Sequence, residues 1–287
     1  MYPYQIFLGI DLYTLFLCIG ILSALVIFRI FSDRAKMYWK LQNFCVIVGT
    51  LAITAGVGSA VLFQAFYNFL DDPQSGFSIS RSTGSTFFGG LIGGVVGFLL
   101  IYFVVGSFLF KKNKEHIREF FNISNIAAAS ISAAHGFGRL GCLMAGCCHG
   151  AVTDAWYGVY FVNYEIKAVP IQLFEAIFLF SLFGLFLFRL IKGKKYNLPL
   201  YMILYGIWRF VIEFFRADDR GATIVSFLSP SQLIALLMIC GSVGVFFLEK
   251  YVRSKWKADG EVLENVTQES FDDKSADEKV DGNEHEN

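Results

Sequence analysis

The sequence predicts an all-α integral membrane protein with about seven transmembrane helices, its N-terminus outside and its C-terminus in the cytoplasm. Three observations carry that reading. Hydrophobic residues make up 55% of the chain and aromatics 17%, with 32 Phe, and mean hydropathy is +0.54. Apolar runs recur at lengths that match a bilayer, and the loops between them alternate in charge. Charged residues reach only 17%, against about 25% in a soluble domain, which excludes a soluble enzyme.

The runs cover approximately 6–28, 42–68, 86–110, 121–147, 168–190, 199–215 and 230–249. A span needs ~20 mostly apolar residues, because ~30 Å of hydrocarbon is crossed at 1.5 Å per residue. The first run lacks a basic leader and a small-residue cleavage site, so it reads as a retained helix rather than a signal peptide. The sixth is the shortest and carries charge. Continuous apolar runs exclude a transmembrane β-barrel, which needs short alternating strands. The two halves show no repeat of the kind that builds inverted-repeat transporters. Residues 1–252 therefore form one membrane domain. Residues 253–287 form a tail with 11 Asp or Glu against two Lys from Asp259 onward, expected to be disordered and cytoplasmic.

Loop charge gives the orientation. One set of connections holds Arg29, Arg34, Lys36 and Lys40; Lys111, Lys112, Lys114 and Arg118; and Arg189, Lys192, Lys194 and Lys195. Lys250, Arg253, Lys255 and Lys257 follow the last run and bring that side to 16 basic residues. The other side holds only Arg81, Lys167, Arg216 and Arg220. Basic loops stay in the cytoplasm.

Asp11, Arg139, Glu175, Arg209 and Glu213 fall inside the spans, where each charge costs at least ~2.5–3.5 kcal/mol at mid-bilayer and faces a cavity or another charge. Counting along each helix puts Asp11, Tyr13, Arg139, Gln172, Glu175 and Arg209 in the outer half of the membrane. Tyr205, Arg209, Glu213 and Arg216 are spaced to share one helical face, as are Gln172 and Glu175. Guanidiniums aimed at one cavity suit a phosphate, which their planar fork of donors matches. The alternative is that Arg139 and Arg209 only neutralise Glu175 and Glu213 and hold helices together.

Between His135 and Gly150 lie five of the glycines named by Gly136, Gly138, Gly141, Gly146 and Gly150, together with Cys142, Cys147, Cys148 and His149. The glycines permit close approach of another backbone or of a lipid headgroup. The Cys and His spacing matches no usual zinc pattern, so no metal or other cofactor is expected, and a Cys/His redox module is a minor reading. Cys18, Cys45 and Cys240 read as packing residues.

Four motifs in order then resemble the prolipoprotein diacylglyceryl transferase family: Phe87-Phe88-Gly-Gly-Leu-Ile-Gly, Gly138-Arg139-Leu-Gly, Pro170-Ile-Gln172-Leu-Phe-Glu175, and Tyr205-Gly-Ile-Trp-Arg209-Phe-Val-Ile-Glu213-Phe-Phe-Arg216. Tyr13 stands where the family has a first-helix tyrosine. The resemblance covers about 10–248. It implies an enzyme of a bacterial inner membrane that moves the diacylglyceryl group of phosphatidylglycerol onto the lipobox cysteine of a prolipoprotein signal peptide. Membrane lipid and that peptide are the partners implied, and no nucleic acid. On that reading Arg139, Arg209, His135 and Glu213 form the catalytic set. Tyr13, Cys142, Gly150, Gln172, Glu175 and Arg216 line the substrate site.

Two positions depart from the family pattern. Phe88 stands where the family usually has a histidine, and Cys142 where it has an asparagine. The outer loop between Gly150 and Pro170 is also short. His135, one turn before Arg139, and His149, at the outer end of the span, are the available substitutes for the lost base. A relative that transfers or binds another lipid group is the alternative function. A transporter is disfavoured by the expectation that the cytoplasmic half holds no buried charge.

Overall fold

The computed structural model describes residues 5–7, 10–73, 76–79, 86–216 and 228–281, with the side chains of 5–7, 71, 87, 88 and 257–281 left aside. Arg81 and Arg220, and the side chain of Phe88, lie outside the described residues. Seven helices follow in order: α1 (Leu12–Arg34), α2 (Trp39–Asp71), α3 (Phe87–Leu109), α4 (Glu115–Ala145), α5 (Ile171–Ile191), α6 (Asn197–Ile212) and α7 (Pro230–Asp281). Two short antiparallel pairs complete the elements, β1 (Gln5–Phe7) with β2 (Ile10–Asp11) and β3 (Val159–Phe161) with β4 (Ile166–Ala168).

Among the described residues, six helices are long and apolar enough to cross a membrane, all but α4. The protein is thus a multi-pass, nearly all-helical membrane protein. The exception is instructive. The central helix α4 packs along α1 and α5 and also meets α6. It needs no apolar surface, because other helices cover it. Several of its polar side chains bond within the helix: Ser124 Oγ donates to Phe120 O (2.8 Å), Asn125 Nδ2 to Phe121 O (2.7 Å) and Ser132 Oγ to Ala128 O (2.7 Å), which suits a nonaqueous setting. Small residues let neighbours approach. A Cβ on Gly20 of α1 would lie 2.9 Å from Ala134 O, and one on Gly136 would lie 3.0 Å from the Phe180 ring, the close packing typical of membrane helices.

Helices α2 and α3 form a hairpin locked by small residues, with Gly56 against Gly90 O. The hairpin joins the other helices at one end only. There Leu41, Phe44 and Val48 of α2 and Tyr102 and Phe110 of α3 share a core with Phe28 of α1 and Ile123 of α4. Further along, Val57, Leu62, Phe66 and Leu70 stay exposed, as side chains bathed in lipid do. The core also brings together the basic ends of α1 to α4, so the alternation of loop charge is a property of the fold.

The first span is displaced from its sequence reading. Residues 10–11 pair with β1, and Asp11 is the N-cap of α1, its Oδ1 accepting from Thr14 N at 2.7 Å. Asp11 is therefore not a charge within a span. A carboxylate satisfies the free amides of a helix start better than it tolerates hydrocarbon. At the other end, the α7 backbone continues past residue 252 to Asp281.

The expectation of a charge-free cytoplasmic half is overturned. Glu249 is fully buried, and its Oε1 accepts from Arg253 Nε (2.8 Å), Asn125 Nδ2 (3.2 Å) and Tyr196 N (3.3 Å). Arg253 Nη1 also donates to Asn122 Oδ1 at 2.9 Å. Read along the chain, Glu249 and Arg253 look like the polar end of a span. Packing of α4 and the α5–α6 turn against them buries the pair.

Candidate active site

The site lies at the opposite end, the one that loop charge assigns to the outside, where α1, α4, α5, α6 and the start of α7 meet. Helix α4 ends at Gly146, whose left-handed conformation (φ 71°) lets its amide reach Cys142 O and Leu143 O, the usual use of glycine at a helix C-terminus. Arg139 therefore sits about 9 Å below the outer end of α4. Pro170, before the first residue of α5, places Gln172 and Glu175 in that helix's opening turns. Tyr205 and Arg209 belong to α6, and Glu213 begins a 3-10 turn that continues it to Phe215.

Two ion-paired networks result. Arg139 Nε is 3.1 Å from Glu175 Oε2 across the α4–α5 interface. The other oxygen, Oε1, accepts from Tyr205 of α6 at 2.9 Å, so a single fully buried carboxylate ties three helices. Tyr205 stacks in parallel on Tyr201 at 5.7 Å, and the His135 ring meets its edge at 5.1 Å. In the second network Arg209 Nη2 is 2.7 Å from Glu213 Oε2 and donates to Ser231 Oγ at 2.8 Å. Ser229 Oγ donates to Glu213 Oε1 at 2.9 Å, and Arg216 Nε lies 4.0 Å from Glu213 Oε2. The networks adjoin, for the field of Arg209 acts on both Glu175 and His135.

The ion pairs are those of the helix-holding alternative, yet they do not exhaust the guanidiniums. Arg209 Nη1 is buried with no hydrogen-bond partner among the described residues. Among the described residues, Arg139, Arg209 and Arg216 gather about Glu175 and Glu213. A buried donor without a partner is costly, and this one, Arg209 Nη1, is placed where an anion could take it.

The remaining residues fall into place around these networks. Tyr13, half-exposed at the start of α1, lies against Gly141 of α4, where a Cβ would come 3.2 Å from its ring and carbonyl. Cys142 follows Arg139 by about one turn, and its carbonyl accepts from Cys147 N at 3.2 Å. Gln172 Nε2 donates to Cys147 O, fastening the start of α5 to the end of α4. Beyond the helix, hydrogen bonds from the neighbouring thiols and the positive charge of Arg216 hold the Cys148 thiol well below the usual range.

Gly150 is a framework residue. Its N donates to Val169 O at 2.9 Å, and it bridges Arg216 in a short antiparallel step. A Cβ there would lie 2.7 Å from Ile171 and 2.8 Å from Phe215 O. His149 is likewise packed, its ring 4.7 Å from Tyr164 and 5.4 Å from Phe161, with Nδ1 3.0 Å from Gly150 O. Among the described residues no three His, Cys, Asp or Glu side chains are grouped to hold a metal ion. Ser229 and Ser231 escape sequence reasoning. The only local signal, Ser229-Pro230-Ser231, announces a helix start and not a partner for α6.

Beside the second network lies an apolar cavity of about 490 Å³, lined by Tyr157, Val169, Phe174, Phe178, Trp208 and Phe215 among others. The rings of Phe178 and Trp208 stack at 4.3 Å along one wall.

Comparison with known proteins agrees with the motifs. The family model for prolipoprotein diacylglyceryl transferase matches residues 3–248. The chain is 32% identical to phosphatidylglycerol–prolipoprotein diacylglyceryl transferase 2 of Clostridium perfringens over 251 residues, 83% of this chain and 90% of that protein. It is 30% identical to the transferase of Clostridium tetani, with 83% and 93% covered, and 28% identical to that of Vibrio cholerae, with 81% and 84% covered. The chain belongs to the prolipoprotein diacylglyceryl transferase family.

Proposed function

We propose that this protein transfers the diacylglyceryl group of phosphatidylglycerol to the thiol of a prolipoprotein, the acceptor being the lipobox cysteine of its signal peptide and the setting a bacterial inner membrane. The thiolate sulfur attacks the glycerol carbon that bears the phosphate ester. The C–S bond forms as the C–O bond breaks, and the electron pair leaves on glycerol phosphate. The thiol proton goes to a base.

The observation that carries this reading is the gathering of Arg139 and Arg209 in adjoining buried networks at one end of the bundle, with Arg209 Nη1 unpaired among the described residues. Charge builds on phosphate oxygen as the C–O bond breaks, and fixed donors there stabilise the transition state more than the bound lipid. Glu175 and Glu213 aim the guanidiniums, so little reorganisation is needed. His135 is assigned as the base because its ring touches Tyr205, beside the Arg139–Glu175 pair. The apolar cavity next to Glu213 suits an acyl chain of the donor.

The test is direct. Purified protein is given phosphatidylglycerol and a lipobox peptide, and mass spectrometry looks for a thioether-linked diacylglyceryl adduct with release of glycerol phosphate. A peptide left unmodified by protein that still binds the lipid sinks the reading. It would favour the second one, a relative acting on another lipid group, which the replacements at Phe88 and Cys142 support.

A further inference from the structure

A second cavity, of about 410 Å³, lies at the basic end, where α1 ends, α4 begins and the α5–α6 turn crosses. Arg34, Lys194 and Lys195 line it together with Asn122, above apolar Phe31 and Leu190. Loop charge assigns this end to the cytoplasm. The positive-inside tendency explains lysines and arginines here, but it does not require them to surround a cavity.

Three features point to a ligand. The first is charge without partners. No ion pair engages Arg34, Lys194 or Lys195 among the described residues, and the Arg34 guanidinium only lies over the Phe31 ring at 5.3 Å. The nearby carboxylates are otherwise occupied. Asp33 is 3.5 Å from Arg29, and Glu119 is 3.7 Å from Arg118 and accepts from Asn122 Nδ2 at 2.6 Å.

The second feature is a fixed backbone. Gly193 turns the chain with a left-handed φ of 64°. Lys194 N then donates to Arg189 O at 2.8 Å, while Arg189 Nη2 donates to Lys195 O and Arg189 Nε to Asn197 Oδ1, both at 2.7 Å. The two lysines are thus presented from a braced turn. The third is the floor, which continues onto a lipid-facing surface where Phe188 and Ile191 are exposed.

We propose that this cavity binds a phosphate group, and specifically the headgroup phosphate of an anionic lipid in the cytoplasmic leaflet. Three cations match the phosphate, the asparagine amide borders it, and the apolar floor accommodates the start of an acyl chain. Basic pockets between helices on this side of a membrane suit such headgroups. A lipid there would brace α1, α4 and the α5–α6 turn next to the Glu249–Arg253 pair. The inference is independent of the transfer chemistry at the other end.

Delipidated full-length protein in detergent provides the test, its unfolding temperature being read with phosphatidic acid, phosphatidylcholine or inorganic phosphate in separate arms. Phosphatidic acid is expected to raise it by about 5 °C more than phosphatidylcholine. An Arg34→Gln/Lys194→Gln/Lys195→Gln variant should lose most of that increment while matching wild type in phosphatidylcholine. An equal increment in wild type and variant overturns the proposal, since any lipid effect would then arise elsewhere, the outer site included. An increment equally produced by millimolar inorganic phosphate overturns the lipid source and assigns the cavity to a soluble phosphate. Should the triple variant fold poorly, Lys194→Glu alone changes an exposed side chain. It must then reduce the increment, and full retention overturns the proposal.

Discussion

Two clusters of arginine and glutamate occupy opposite ends of the same bundle, and they differ in what surrounds their ion pairs. At the basic end a single pair within one helix, Glu249 with Arg253, is held by asparagine amides and a backbone N–H from other elements. At the other end, among the described residues, Arg139, Arg209 and Arg216 gather about Glu175 and Glu213 in two adjoining networks that join α4, α5 and α6. One pair fixed by neutral groups ties elements together, whereas several guanidiniums at one level can also offer donors to an anion.

The largest effect that sharpens this contrast comes from the outer arginines. Arg139→Ala and Arg209→Ala should each lower transfer at least about 10²–10³-fold, the usual cost of losing a donor to developing charge, with Lys replacements recovering little because they lack the fork. Arg253→Ala should leave transfer by the folded fraction near wild type. Measured rates normalised to folded protein decide the matter. A comparable loss in Arg253→Ala without loss of stability would break the division of roles.

Next in size is stability at the basic end. Glu249→Ala leaves the partly buried Arg253 and the Asn125 amide without their carboxylate and should cost about 1–3 kcal/mol, read as a lower unfolding temperature in detergent. An unchanged temperature would remove Glu249 from its structural role. The third effect is a pH profile. His135→Gln should slow transfer about 10²-fold or more at pH 7, as loss of a general base does. It should matter much less at pH 9, because a thiol of pKa about 8.5 is then mostly ionised without help. The sign is fixed by the acceptor: the base is needed below the thiol pKa and dispensable above it. Equal rates across that range would pass the proton to Glu213 or to solvent. The smallest effect is Gly150→Ala, about 1–3 kcal/mol of destabilisation from overpacking against Ile171 and Phe215 O. If stability is unchanged, the bridge between Gly150 and Arg216 does not brace the outer site.

The outer site was legible in part. Helical spacing alone put Tyr205, Arg209 and Glu213 on one face, and charge within apolar runs marked Arg139 and Glu175. The pairing of Arg139 and Arg209 with Glu175 and Glu213 was legible as the helix-holding alternative, but the rest of each network was not. Nothing local says that Glu175 divides its oxygens between Arg139 and Tyr205, or that Ser229 and Ser231 hold the second network. The basic-end cluster was missed for the same reason. Glu249 and Arg253 have the spacing of an ordinary surface pair, and only Asn122 and Asn125, far away in the chain, make them a buried one.

The sequence by itself determined the membrane class, the approximate spans, the alternation of basic ends and the common level of the outer polar residues. Those properties follow from hydrophobicity, helical rise and loop charge, all of which act over one segment at a time. The tertiary structure alone decided that polar α4 runs through the middle of the bundle, that Asp11 caps a helix instead of entering a span, and that a β3–β4 pair follows the outer end of α4. Each of these depends on what covers a residue after folding. The transfer cost that hydropathy assigns to a polar helix vanishes when neighbouring helices replace the lipid around it.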